Sequence, residues 1–475
     1  VPTIVEAATM LYARNGVTEI AAARADTANL TRTADAIRRA VAAAKAAGEK
    51  RLIVVTGIPG AGKTLCGLNA VFGQPDSAFL TGNVPLVEVL RAALANDAVA
   101  RRDCGRDEAM RRAKQRLQNV HRFLEDCATD PQARAPHERL IVFDEAQRAW
   151  DAAKARLGTR NKPSKLTMSE PAHTLEIMAR HEGWAAVVAL IGNGQEINTG
   201  EAGLREWGAC VAASGIWRAT AAARAVDASD PVQRLAEGWP DWLDRDDGLD
   251  LTVPVRSVRD SAGAAWVDAL LRGAVAEARD IAARADLPFL VTRDLDDLRA
   301  ALRRLARGRR RAGLVAAAGA KRLRAEGLGV QAEEVADWFL RRWPDIRASD
   351  ALETFATEYD CQGLELDVVG LAWGGDLLWR EGWHPRRFAG TAWQTVRSAE
   401  ERRHILNTYR VLLTRARYET VIWVPRGSRR DGPFPDPTRD AAELDAVADL
   451  LRAAGARPLA APTEAVRDDA APTLL

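Results

Sequence analysis

Short apolar runs recur along the chain with helix-compatible stretches between them. LIVVTG at Leu52–Gly57 follows an Ala- and Arg-rich stretch from Thr27 to Gly48 whose apolar positions fall at helical spacing, which predicts a helix feeding a buried strand. Runs of the same kind predict strands at Ser77–Leu80, Leu140–Phe143, Ala186–Ile191, Leu251–Val255, Pro288–Thr292, Gly313–Ala317, Leu366–Ala372 and Thr420–Val424. Strands that are apolar throughout and alternate with helices belong to parallel sheets covered on both faces, so the expected fold class is α/β. So many strands exceed one comfortable sheet, which predicts two α/β lobes with a boundary in the Pro-, Asp- and Trp-containing stretch from Asp227 to Gly248. The expected division is an N-terminal helical segment over 1–50, a first lobe over 51–248, a second over 249–427 and a C-terminal segment over 428–475. Residues 431–475 hold six prolines and nine acidic residues against four basic ones, which predicts a flexible tail with one short helix near Ala441–Ala453.

Composition narrows the partners more than the fold. With 475 residues, 47% of them apolar and 28% charged, disorder as the main state is excluded. Sixty-seven Lys plus Arg nearly balance sixty-five Asp plus Glu, so affinity for nucleic acid has to come from local clustering. Phe289–Arg324 carries eleven basic and three acidic residues, including Arg309, Arg310, Arg311, Lys321, Arg322 and Arg324, and Arg101–Arg116 carries seven against three. Each stretch is either a track for a phosphodiester backbone or a solvated helical face. No apolar run approaches the roughly eighteen residues of a membrane span. The opening VPTIVEAATM has a carboxylate where a leader would be basic, and the expected location is cytoplasmic. Five cysteines without CxxC spacing and six histidines without paired spacing predict neither a disulfide framework nor a metal centre held by side chains alone.

Two motifs carry chemistry. GIPGAGKT, Gly57–Thr64, directly follows the strand LIVVT and precedes the helix-compatible LCGLNAVF, the context in which a P-loop pattern has meaning. The loop and helix start that contain Gly57, Pro59, Gly60, Ala61, Gly62 and Leu65 would surround a β-phosphate with the N–H groups of their non-proline residues, Lys63 would reach the β- and γ-oxygens, and Thr64 would offer its hydroxyl to Mg²⁺. LIVFDE at Leu140–Glu145 is an apolar strand ending in two acids, with Asp144 suited to the Mg²⁺ shell and Glu145 to polarising an attacking water. The plainer alternatives are a Gly-rich turn and an acid pair capping the next helix. Together the motifs predict binding and hydrolysis of a nucleoside triphosphate, with ATP and Mg²⁺ as the expected ligands.

Further segments narrow the class. DEAQR from Asp144, IGNGQEIN at Ile191–Asn198 and YRVLLTRAR at Tyr409–Arg417, in this order after GIPGAGKT, resemble motifs II, III and VI of superfamily one helicases behind motif I. The chain resembles the bacterial Schlafen group 3-like DNA/RNA helicase domain family from roughly Leu52 to Pro425, with agreement also in FLTGNVPLVEVL, GEAGLREW, GAKRLRAEG and EYDCQGLELD. The resemblance implies two RecA-like P-loop NTPase lobes with parallel sheets and ATP in the cleft between them. It implies that Gln195 senses the γ-phosphate and that Arg415 acts as an arginine finger. It further implies that Arg256 is the arginine of motif IV, and that Gln362, Gly363 and Glu365 of motif V couple the ATP site to the moving strand. Each residue has a plainer alternative: a loop tie for Gln195, a helix-end charge for Arg415, a surface ion pair for Arg256 and a solvated carboxylate for Glu365.

The chain also departs from the helicase pattern. No glutamine that would read adenine occurs among residues 1–73, Val255 stands where an aromatic often precedes the motif IV arginine, and Asn193 replaces a motif III acid. Trp373, Trp379, Trp383 and Trp393 follow motif V, either as core or as stacking surfaces for bases. The expected function is an ATP-dependent DNA/RNA helicase or single-strand translocase; the alternative is a nucleic-acid-stimulated or protein-regulated ATPase switch without unwinding. The expected partner is single-stranded DNA or RNA and no membrane, with a protein partner or a domain preceding Val1 left open.

Overall fold

The structure, a computed structural model, describes residues 4–14, 27–57, 61–162, 165–192, 201–251, 258–308, 310–433 and 435–460. The chain divides into two units, Val1–Arg256 and Ser257–Leu475.

The first unit is built on eight parallel strands: β1 Lys50–Gly57, β2 Ser77–Thr81, β3 Leu117–Asn119, β4 Leu140–Phe143, β5 Ala185–Gly192, β6 Trp217–Ala221, β7 Leu243–Arg245 and β8 Asp250–Leu251. Their order is β3-β2-β4-β5-β1-β6-β7, with β8 pairing the end of β1 at Thr56 and Gly57. Every residue of β4 and β5 is buried, which is why LIVF and AAVVALIG contain no polar position. The helix Lys63–Phe72 buries seven of its ten residues against the sheet, and the helix Thr27–Ala47 packs on both it and β1. The helix Ile4–Arg14 also belongs to this unit, lying against Lys63–Phe72 and Val84–Ala100.

The expected boundary at Asp227–Gly248 is corrected. Leu235 and Leu243 of that stretch sit in the first core, β7 extends the first sheet, and β8 follows before the division at 256/257. Its prolines and acids mark turns between strands of one sheet. Strand β6 escaped sequence reading because Arg218 interrupts its apolar run; that arginine is satisfied by Asp244 of β7 at 2.8 Å. The strand expected at Leu251–Val255 is described only through Leu251.

In the second unit the parallel strands are β9 Phe289–Thr292, β10 Ala312–Ala316, β11 Val330–Gln331, β12 Thr354–Ala356, β13 Leu366–Ala372, β17 Ala416–Trp423 and β18 Arg457–Pro458. Their order is β11-β12-β10-β13-β17-β9-β18. Between β13 and the helix Ala399–Leu413 lies an antiparallel sheet of β14 Leu377–Trp379, β15 Trp383–Ala389 and β16 Ala392–Thr395, which the apolar pattern did not anticipate. Aromatic contacts anchor it: Trp383 stacks on Trp373 at 5.6 Å, meets Trp379 edge-on at 5.2 Å, and donates Nε1–H to the Leu270 carbonyl at 2.8 Å.

The flexible tail expected over 428–475 is corrected for residues 428–460. Asp440 caps the helix Ala441–Ala453 by accepting from Ala442 N–H at 2.9 Å, and that helix buries Leu444, Val447, Ala448, Leu450 and Leu451. Asp436 accepts from Arg322 at 2.7 Å and Arg439 at 3.0 Å, and β18 pairs with β9. The acids that made this segment read as disordered serve as caps and ion-pair partners. Residues 461–475 lie outside the described residues.

Candidate functional site

In the first sheet the carboxy ends of β4, β5 and β1 lie side by side, with Gly57 paired to Gly192 and Phe143 to Ala189. Such an edge is where open α/β sheets take ligands. Gly57 is required there, since a Cβ would come within 2.8 Å of the Leu251 Cβ and 3.1 Å of its carbonyl oxygen. Gly62, at φ +93°, takes the left-handed turn that starts the helix Lys63–Phe72 and so presents the N–H groups of its first turn, which a helix does not itself satisfy. Ala61 and Leu65 are buried beside it, Thr64 is half-buried on the first turn, and Pro59 and Gly60 lie outside the described residues.

Charged groups gather around this turn. Lys63 Nζ donates to the Gly57 carbonyl at 2.9 Å. Burial pulls its pKa down, while Glu145, Asp144 and Asp250 act in the opposite sense. Asp144 is only 7% exposed. Burial, then the Glu145 carboxylate, push its pKa up against the pull of Lys63, the Glu145 N–H and the Thr81 hydroxyl. Glu145 sits at φ +52°, a left-handed conformation that costs a non-glycine residue on the order of 1–3 kcal/mol and tends to cluster at functional sites.

Two residues that sequence reasoning missed complete the cluster. Gln147 donates its amide to Glu145 Oε2 and accepts from Gly192 N–H at 3.0 Å, so one buried amide ties Glu145 to the end of β5. Its signal was its place two residues after Glu145 in DEAQR. Asp250, brought in by β8, accepts from Thr56 Oγ1 at 2.8 Å and from Arg224 Nε at 2.9 Å. Nothing in the sequence pairs it with the P-loop; only the strand register does.

The donor set suits a nucleoside triphosphate with a divalent cation. Asp144 has an acid neighbour and too little positive charge to ionise easily, which a cation would relieve. Among the described residues no group of three or more His, Cys, Asp or Glu side chains is assembled to hold a metal. Mg²⁺ needs no such cluster, since it is typically held by one or two carboxylates together with substrate phosphates and water.

In the second unit, three of the motif segments converge. Arg415 lies between the helix Ala399–Leu413 and β17; its Nε donates to the Val411 carbonyl at 3.0 Å and its own carbonyl accepts from Leu366 N–H at 3.2 Å. Glu365, the residue before Leu366, is thereby set beside Arg415. Burial pushes the Cys361 thiol up to about 12, against the opposing charge of Arg415. Glu358 accepts from Ala318 N–H at 2.8 Å and from the Thr408 hydroxyl at 3.4 Å, joining EYDCQGLELD to the segments around 319 and 409. Among the described residues the Arg415 guanidinium pairs with no carboxylate. Gln195 and Arg256 lie outside the described residues.

The structure bears on the alternatives left open for the surface candidates. Trp373 and Trp383 are core residues, Trp379 packs against Gly273 and Trp383, and Trp393 donates Nε1–H to the Thr438 carbonyl at 2.8 Å. Of the basic stretches, Arg311 is spent on the carbonyls of Leu340 and Arg341, Arg310 lies over the Tyr418 ring at 4.3 Å, and Arg322 pairs with Asp436. Arg309 lies outside the described residues. Arg111 and Arg112 both pair with Glu108, and Arg116 bonds to the Val71 carbonyl at 3.2 Å. Neither stretch is a uniform basic track, because folding supplies many of its charges with partners.

Parallel strands in this order, with a glycine-capped Lys–Thr helix start after β1 and an Asp–Glu pair after β4, on either side of β5, define an α/β protein of the P-loop class with two RecA-like lobes. The chain belongs to the Schlafen group 3, DNA/RNA helicase domain family, whose model matches residues 50–426. It is similar to the crystal structure of the Pyrococcus furiosus Hef helicase domain at 12% identity, over 84% of this chain and 97% of that chain, with a TM-score of 0.28. No curated protein matches it. Among the described residues no helix is long and apolar enough to cross a membrane.

Proposed function

We propose that this chain is an ATP-dependent helicase or translocase acting on single-stranded DNA or RNA. The observation that carries the reading is the cluster of Lys63, Asp144 and Glu145 at one strand edge, with Gln147 fixing Glu145 to the end of β5. Lys63 and the first-turn N–H groups bind the β- and γ-phosphate oxygens, and Thr64 and Asp144 hold Mg²⁺, which when bound neutralises charge on those oxygens. Glu145, oriented by Gln147, accepts the proton of the attacking water. In this reading Arg415 acts as an arginine finger that stabilises charge on the γ-phosphate, with Arg256 as a second arginine. Gln195 senses the γ-phosphate from the segment that follows Gly192, so the Gln147 bond to Gly192 links sensing to the catalytic acid. Gln362 and Glu365 connect Arg415 to the strand being moved. Alternation between two states of the lobes with different affinity for the strand turns hydrolysis into stepping.

The test is ATP turnover by the purified chain with and without single-stranded DNA and RNA, beside Lys63→Ala. Strong stimulation that disappears in the variant is expected, together with strand displacement or translocation. Turnover indifferent to every nucleic acid would sink the motor reading, and stimulation without movement would leave the switch. Comparison of ATP with GTP in the same assay settles the nucleotide preference that the missing glutamine leaves open.

A further inference from the structure

We propose that Tyr359, braced by His404, is a base-stacking platform for single-stranded nucleic acid on the second unit; the inference rests on the nucleic-acid reading above. Tyr359 lies in the turn that leaves β12, where motif V begins. Both its neighbours are turned inward. Glu358 is bonded to Ala318 N–H at 2.8 Å and to the Thr408 hydroxyl at 3.4 Å. Asp360 accepts from Thr357 N–H at 2.8 Å and from its hydroxyl at 2.7 Å, and from Gln331 at 3.1 Å. These bonds fix the backbone on either side of Tyr359 while its ring stays 53% exposed.

The exposed ring is oriented as well as presented. Its hydroxyl lies 3.1 Å from His404 Nε2, and the two rings are inclined by only 28° with centroids 6.4 Å apart. A ring so held loses little rotamer freedom when a base settles on it, and every base offers a π-face, so the platform is indifferent to sequence. The turn bonded to Glu358 through Ala318 continues into Lys321 and Arg324, both exposed. Among the described residues neither pairs with a carboxylate, and phosphates flanking a stacked base would meet them. His404 sits on the helix Ala399–Leu413, which also supplies Thr408 to Glu358 and leads into Arg415. His404 is thus a positioning residue, and occupancy of the ring bears on the helix that ends at the arginine finger.

The experiment uses the full chain and a single-stranded oligonucleotide carrying 2-aminopurine, with anisotropy reading affinity and quenching of the 2-aminopurine reading stacking. Tyr359→Ala is expected to weaken binding by about 5- to 150-fold and to abolish the quenching. Tyr359→Trp restores both, and His404→Ala weakens the quenching more than the affinity. Basal turnover without nucleic acid stays unchanged in all three. Trp343→Ala is the control: Trp343 is 65% exposed but lies in the loop that enters β12, and its loss leaves binding unaltered. Binding and quenching by Tyr359→Ala equal to those of the unmodified chain would overturn the platform and leave the motor reading standing. An equal loss in Trp343→Ala would also overturn it. Absence of any single-strand binding by the unmodified chain would overturn both.

Discussion

Asp144 and Asp376 are both buried aspartates beyond the carboxy end of a parallel strand, β4 in the first unit and β13 in the second, and burial raises the pKa of both. Their neighbours differ. Asp144 stands beside a second carboxylate, within the field of Lys63, the first residue of a helix. Asp376 accepts the Tyr409 hydroxyl at 2.7 Å, and that hydroxyl accepts from Gly374 N–H at 3.2 Å. A Cβ added at Gly319 would come within 2.9 Å of Asp376 Oδ2, so the group is sealed by packing. A perturbed buried acid therefore marks a ligand site only where its surroundings leave charge unbalanced and donors unspent; elsewhere the same perturbation is a consequence of the core.

That contrast can be broken most severely at Arg415, proposed above as an arginine finger. Arg415→Ala is expected to lower nucleic-acid-stimulated kcat by about 10³- to 10⁵-fold with nucleotide affinity retained, read by turnover and nucleotide binding in parallel. Glu145→Gln comes next, with a loss in kcat of about 10²- to 10⁴-fold; a rate close to that of the unmodified chain would remove Glu145 from water activation. Trp373→Ala should cost about 3–5 kcal/mol in denaturant unfolding of the second unit, as expected of core, and a variant of unchanged stability but weakened strand binding would return Trp373 to the stacking surfaces.

The smallest effect expected is at Asp376 itself. Its carboxyl is pushed up to about 6 by burial. A folded-state value above the ordinary one of about 4 means that its contribution to stability is present below about pH 4 and is lost as pH rises through 6. Asp376→Asn, which does not titrate, should gain on the unmodified chain by about 1–3 kcal/mol between pH 4 and 7 with turnover unaltered. A pH-independent difference in unfolding midpoint would show that charge plays no part there.

Much of this arrangement was legible in the chain. Strands β1, β4, β5, β13 and β17 announce themselves because both faces are covered and few polar positions interrupt their buried stretches. The GIPGAGKT pattern and the Asp144–Glu145 pair were visible in the sequence as residue types at fixed offsets, and the structure brings Lys63, Asp144 and Glu145 within one another's field. What escaped depends on partners distant in sequence. Arg218 hides β6 until Asp244 is known to lie beside it, Asp250 joins the P-loop only through β8, and Asp436 looks solvated until Arg322 and Arg439 are placed against it. Tyr359 was overlooked in favour of four tryptophans because composition favours the larger ring, whereas exposure is decided by the turn that carries it.

The pairing of β18 with β9 has a practical consequence. The family's matching region stops at residue 426, yet the strand that lines the outer edge of β9 lies beyond it at Arg457–Pro458, delivered by the helix Ala441–Ala453. A chain cut at the family boundary would leave the N–H and C=O groups of Phe289–Thr292 without their outer neighbours, an open edge ready to recruit another chain. Pro458, unable to donate a hydrogen bond, closes that edge in the native chain. Arg457–Pro458 thus covers a strand edge that would otherwise be open to another chain.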